Sequence, residues 1–224
     1  MLKNRRESLI GAELKAKQLF EAIIDQKLIQ PDKSESGLSK EIYNLAFQMF
    51  GIKEYWHKRI VRTGVNTVHP YKENPENLII KTDDILFFDF GPVFDQWEAD
   101  FGRTYVIGDD PIKIKMVKDI EECWFLAKAH YDLNLTITGS ELYRFVSELA
   151  IKRSWEFGNE HCGHLIGPFP HERIQGEKIK NYLHSDNHLQ MREKDDFGEV
   201  RDWILEIHFI DNSLKIGGFF EQLL

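Results

Sequence analysis

Ile85-Leu-Phe-Phe-Asp89-Phe-Gly-Pro-Val-Phe-Asp-Gln-Trp-Glu-Ala-Asp100-Phe-Gly-Arg-Thr-Tyr-Val-Ile-Gly108 is the stretch on which the reading of this chain turns. Ile85 to Phe90 is a short apolar run rich in β-formers and reads as a buried strand. Asp89 lies inside it, where a lone carboxylate is costly. A second strand, Ala99 to Ile107, follows a turn around Phe94 and Asp95. With the turn centred between those two residues, Asp89 falls opposite Asp100, with Cβ atoms about 4.5–5.5 Å apart. Like charges so placed repel unless cations sit between them or they share a proton.

The C-terminus repeats the arrangement. Trp203 to Ile210 is an apolar run that contains Glu206; Asp211-Asn-Ser-Leu-Lys215 is turn-like; Gly217 to Leu224 returns. A turn centred between Ser213 and Leu214 sets Glu206 opposite Glu221. Two hairpins that each bury an opposed pair of acids point to hard divalent cations, and a histidine added to them gives transition-metal character.

Working outward, a 224-residue chain suits one large domain or two small ones. The net charge of −8 argues against nucleic acid as the main partner. Cys123 and Cys162 fall in different elements, so a reducing compartment is expected. No apolar core follows the basic N-terminal residues, as a secretory signal requires, and no run reaches the length of a membrane span. The expectation is a soluble, cytoplasmic protein without membrane or nucleic-acid partners, a monomer or homodimer.

Ser8 to Lys27 and Leu38 to Phe50 have helical periodicity and read as core-packing helices. Glu54 to Val68 is richer in β-branched residues and is expected to form strands. Asp109-Asp110-Pro111 opens a third helix, and Thr138-Gly-Ser-Glu141 is a capping box that opens a fourth. Gly158 to Gly167 is a glycine-rich strand carrying His161 and His164. Residues 174–201 are charged and aperiodic, an excursion placed to cover the site; His184 and His188 within it read as solvated loop residues. The fold class is α+β, an antiparallel sheet backed by helices in two similar halves, with residues 1–52 as N-terminal helices and 53–224 as the core of one domain.

From about His57 onward, the chain resembles the pita-bread metallopeptidases, which include methionine aminopeptidase, Xaa-Pro aminopeptidase, prolidase and the metal-free creatinase. The resemblance rests on Asp89 and Asp100 eleven apart, Gly163-His164-Leu-Ile-Gly167, His171 seven after His164, then Glu206 and Glu221. It implies a pita-bread fold and two divalent ions (Mn, Co, Fe or Zn) held by Asp89, Asp100, His164, Glu206 and Glu221. Asp100 and Glu221 are expected to bridge the ions, and Glu206 also to take the proton of the attacking water. His171 and His69 match the histidines that contact the substrate carbonyl and the scissile amide. Arg103 is expected to orient carboxylates, His161 to be structural, and His208 to be paired in the core. The implied activity is removal of the N-terminal residue from small peptides, Xaa-Pro peptides included. Pro170 stands where methionine aminopeptidases carry an aromatic residue, so methionine specificity is not assigned. A creatinase-like C–N hydrolase and a silent binding module are the alternatives, and both lose ligands that this chain keeps.

Overall fold

The computed structural model describes residues 4–170, 178–195 and 198–224. Helix α1 (Arg5–Asp25) starts where the Asn4 side chain accepts from the Arg6 N–H. Helix α2 (Glu35–Phe50) is capped by Ser34 and ends at Gly51 in a left-handed conformation. Helix α3 (Pro111–Leu133) has the expected Asp110 cap with proline in the first turn, and α4 (Gly139–Lys152) has the reciprocal Thr138–Glu141 capping box. Between α2 and the first hairpin, only β1 (Ile60–Thr63) is a strand; Gly64–Val68, expected to be extended, coils into a 3-10 turn.

The remaining strands are β2 (Ile85–Phe90), β3 (Val93–Phe94), β4 (Trp97–Glu98), β5 (Phe101–Val106), β6 (Glu156–Phe157), β7 (His161–Ile166), β8 (Tyr182–His184), β9 (Asp202–Asp211) and β10 (Ile216–Leu223). Eight of the strands form one sheet in the order β1-β2-β5-β10-β9-β7-β8, with β6 on β9. Every strand pair in it is antiparallel. The two acid-bearing hairpins thus meet edge to edge, β5 against β10.

Alternation along the strands divides the sheet into two faces. Phe88 and Phe90 pack on Phe20 of α1, and Phe220 packs on Trp124 of α3. The indole of Trp124 also donates to the Leu205 carbonyl at 2.8 Å, which ties α3 to β9. The opposite face holds a smaller apolar group, Ile60, Phe87 and Phe219, and beyond it the acids.

The C-terminal register is the expected one, Glu206 opposite Glu221. The first hairpin differs by two residues: Asp89 pairs with Gly102, not with Asp100. The cause is the turn. Asp95 and Gln96 both have positive φ (50° and 72°), and β3 pairs with β4 as Val93 to Glu98 and Phe94 to Trp97. That centres the turn between Asp95 and Gln96, one residue later than expected. Asp100 then lies diagonally from Asp89 on the same face, still within reach.

Candidate metal centre

Each acid arrives from a different strand or its end. Asp89 lies near the end of β2, Asp100 just before β5, Glu206 in β9 and Glu221 in β10, and all four are buried. With His164 from β7 they line one cavity of about 330 Å³, whose wall also includes Trp56, His57, Tyr71, His161, Asn181 and Tyr182. The structure therefore brings together Asp89, Asp100, His164, Glu206 and Glu221. Asn181 and Tyr182 show that the 174–201 excursion does border the site.

The histidines are positioned through their backbones. His164 Nδ1 donates to the Leu165 carbonyl at 2.8 Å, leaving Nε2 3.0 Å from Asp100 Oδ2 and 3.9 Å from Glu221 Oε1. His57 does the same from the segment before β1. Its Nδ1 bonds the Lys58 carbonyl at 2.7 Å, and its Nε2 lies 3.1 Å from Asp100 Oδ1 and 3.5 Å from Asp89 Oδ1. Asp100 is thus flanked by an imidazole on each oxygen. His161 reaches the same cavity, its Nδ1 2.9 Å from Glu206 Oε1, a close contact without hydrogen-bond alignment. Asn159 Nδ2 donates to that Glu206 oxygen at 2.9 Å.

His161 and His164 are three residues apart, so a regular strand would send them to opposite faces. The pairing of β7 with β8 shifts register between them, and Gly163 has φ 147°. A Cβ on Gly163 would lie 2.0 Å from the Ile204 carbonyl, so the irregularity requires glycine.

Charge is unevenly shared in this pocket. Burial pushes the Asp89 carboxyl up to about 7, opposed by His57. Burial acts the same way on Asp100, but His57 and His164 outweigh it and hold Asp100 well below its ordinary value. The two histidines rise in turn to about 9, against the pull of burial: His57 because of Asp89 and then Asp100, His164 because of Asp100. Glu206 is held down by His161 and His164 despite its burial. Glu221 goes the other way: burial and then Asp100, Asp89 and Glu206 drive it well above the carboxylate range.

That pattern fits a divalent cation. Four acids are buried together with His164, and Glu221 Oε2 is buried without a hydrogen-bond partner among the described residues. Asp100, His164 and Glu221 offer ligand atoms within 4.8 Å of one another, as do His57, Asp89 and Asp100. Oxygen donors with imidazole suit first-row transition ions.

Other expected residues lie elsewhere. His69 sits outside the acid cluster, 35% exposed, with Nδ1 2.5 Å from Glu73 Oε2. It borders a small side cavity shared with Asp89, Glu206 and His208. His171 lies outside the described residues. Arg103 does not orient the acid side chains. It occupies the other face of β5, between the rings of Phe101 and Phe220, and donates to the Gly102 and Glu221 carbonyls at 2.7 and 2.8 Å. His208 is a core residue, its Nε2 2.8 Å from the Thr67 carbonyl, and burial lowers its pKa to about 4. His184 and His188 contact Ser185 and Ser140 away from the acids. Sequence reasoning missed His57 and Asn159 and gave His161 no role. For His161, the neighbouring Gly163 was the available signal.

The chain is 28% identical over 166 residues to a Mycoplasma genitalium protein provisionally named an Xaa-Pro aminopeptidase, a match that covers 72% of this chain and 46% of that one. A Mycoplasma pneumoniae protein with the same provisional name is 25% identical over 192 residues, covering 82% and 53%. The chain spans about half the length of these curated relatives. Among solved structures, a prolidase from Thermococcus sibiricus superposes with a TM-score of 0.77 at 21% identity, over 97% of this chain and 55% of the other. An X-Pro aminopeptidase from Thermotoga maritima gives 0.78 at 18% identity, over 99% and 58%. These likenesses show the pita-bread fold. Residues 9–195 match the sequence profile of metallopeptidase family M24, and the chain belongs to that family.

Proposed function

We propose that this chain is the catalytic domain of a dinuclear metal-dependent aminopeptidase that removes the N-terminal residue from small peptides, Xaa-Pro peptides among them. Divalent metal is the cofactor its family implies, and manganese, cobalt, iron and zinc are the ions to try. The observation that carries the reading is the convergence of Asp89, Asp100, His164, Glu206 and Glu221 on one cavity, with a buried Glu221 oxygen left unpartnered among the described residues.

Divalent ions bound here supply Lewis acidity, which polarises a substrate carbonyl and acidifies water. The protein does the rest. Asp100 lies central among the residues that would hold the ions, 3.1 Å from His57 Nε2 and 3.0 Å from His164 Nε2. Glu206, oriented by Asn159, is the base that accepts a proton from the attacking water and passes it to the leaving amine. Trp56, Tyr71 and Tyr182 wall the cavity with aromatic surface on which a prolyl ring packs. In this reading His69 and His171 contact substrate, as the family resemblance implies.

The fold acts as one unit. Arg5 and Arg6 of α1 both reach Asp202 of β9, and Glu13 accepts from the Leu223 N–H at the end of β10. Buried, unpaired Cys123 and Cys162 suit the reducing cytoplasm, and no helix among the described residues is long and apolar enough to cross a membrane.

The test is hydrolysis of Ala-Pro and Ala-Ala dipeptides and longer peptides by protein loaded with each ion. Metal-dependent release of the N-terminal residue is expected. Stoichiometrically loaded protein that cleaves no small peptide would remove the assignment and leave the silent binding module.

A further inference from the structure

Resting on the metal-centre reading above, we propose that His57 is a metal ligand, supplying Nε2 to the ion on the Asp89 side so that each ion of the pair carries one imidazole.

The geometry is that of a built ligand. His57 comes from outside the sheet, yet its side chain is only 6% exposed. The segment that carries it is fastened to the first hairpin. Tyr55 bridges Pro92, the Trp56 N–H donates to the Gly91 carbonyl at 2.9 Å, and the Trp56 indole donates to the Ala99 carbonyl at 3.0 Å. Room is made by the absence of a side chain at Gly91, where a Cβ would lie 2.2 Å from His57 Cδ2 and 2.4 Å from Trp56 Nε1.

The ring is also turned as a ligand is turned. A histidine that binds metal through one nitrogen commonly donates from the other to a carbonyl, which fixes tautomer and orientation. His57 Nδ1 has that bond to Lys58, as His164 Nδ1 has to Leu165. Both rings then present Nε2 to Asp100, one to each oxygen. Donors about 2.1 Å from a tetrahedral or octahedral ion lie about 3.0–3.4 Å from one another. His57 Nε2 is 3.1 Å from Asp100 Oδ1 and 3.5 Å from Asp89 Oδ1, so little movement is needed to close around an ion. The ligand atoms thus form two triads that share Asp100: His57-Asp89-Asp100 and Asp100-His164-Glu221. A nitrogen donor on the Asp89 side moves that position toward zinc and cobalt and away from magnesium.

The experiment counts ions and imidazoles rather than turnover. Metal-free full chain and its His57→Ala and His164→Ala variants are titrated with Co²⁺ and Zn²⁺ by calorimetry and elemental analysis, with circular dichroism to confirm folding. The wild type is expected to take up two ions per chain. His57→Ala should retain one at wild-type affinity and bind the other roughly 10–100-fold more weakly, the scale seen when even an outer partner of a ligand is lost. His164→Ala should weaken the other ion instead. Proton NMR of the Co²⁺-loaded wild type needs no variant, and it should show two exchangeable, contact-shifted imidazole N–H signals. A single such signal, or unchanged uptake of both ions by His57→Ala, overturns the proposal while the metal-centre reading stands. So does a wild type that holds one ion and gains the second only on His57→Ala, because His57 would then occupy an ion's place as a cation. Failure of the wild type to bind any ion would defeat the metal centre itself.

Discussion

On β2 and β10, Phe88, Phe90 and Phe220 turn toward the helices, while their immediate neighbours Asp89 and Glu221 turn toward the cavity. The helix face is closed by apolar packing around Trp124, Leu205, Ile207 and Phe220. The cavity face is closed by buried acids and imidazoles. One face therefore contributes stability and the other spends it. Burying Asp89 and Glu221 raises their pKa values, which is free energy that a bound cation recovers. The lesson is that a strand with alternate residues of such different character serves both needs at once.

The contrast can be broken at its strongest point. Asp100→Asn on the cavity face should lower peptidase activity by roughly 10³-fold or more, about 4 kcal/mol in the barrier, without unfolding the metal-free protein, whose melting temperature falls only by what the Asp100 contacts with His57 and His164 contribute. A peptide assay paired with a thermal melt checks it, and full activity in the variant would take Asp100 out of the site. Trp124→Ala on the helix face should do the reverse. It deletes a side chain 1% exposed and its hydrogen bond to Leu205, at a cost of about 3–5 kcal/mol in a urea titration. The fraction still folded should take up metal normally.

Metal removal sharpens the comparison. Chelation should lower the melting temperature of the wild type, and ion at a hundredfold excess over its Kd should restore about 2.7 kcal/mol for each site filled. Asp100→Asn should respond far less. The smallest effect belongs to Asp119, on the helix side, which accepts from the Trp155 indole at 2.8 Å and from Arg153 at 2.9 Å. These partners and Lys115 hold its carboxyl below the ordinary 3.8 although burial pushes it up. A depressed folded-state pKa stabilises above the unfolded value, and that stability is lost as pH falls through the folded one. Asp119→Asn should cost about 1–2 kcal/mol at neutral pH. Urea titrations of both proteins should converge as pH drops below 3.8, the ordinary value.

Much of this was legible in the chain. The Asp110 and Thr138 caps were readable because capping is local chemistry. The Glu206–Glu221 pairing was readable because its turn was placed correctly. The first hairpin reads two residues out of register because positive φ at Gln96, beside Asp95, is not announced by a glutamine. Arg103 was misassigned although strand alternation sets it opposite Gly102 and so away from the cavity. His161 was passed over because period two separates it from His164, and only the irregularity at Gly163 reunites them.

By itself, the sequence determined which strands carry acids, which helices cover them, and that carboxylates and an imidazole occur in the order of a metal-dependent peptidase. Those are properties of spacing and side-chain type, which need no partner to be read. Tertiary structure alone decided that β5 lies against β10, which gathers acids from two distant hairpins, and that His57, thirty-two residues before Asp89, enters beside them. Nothing periodic links residues brought together by chain crossings, so their meeting is fixed by packing.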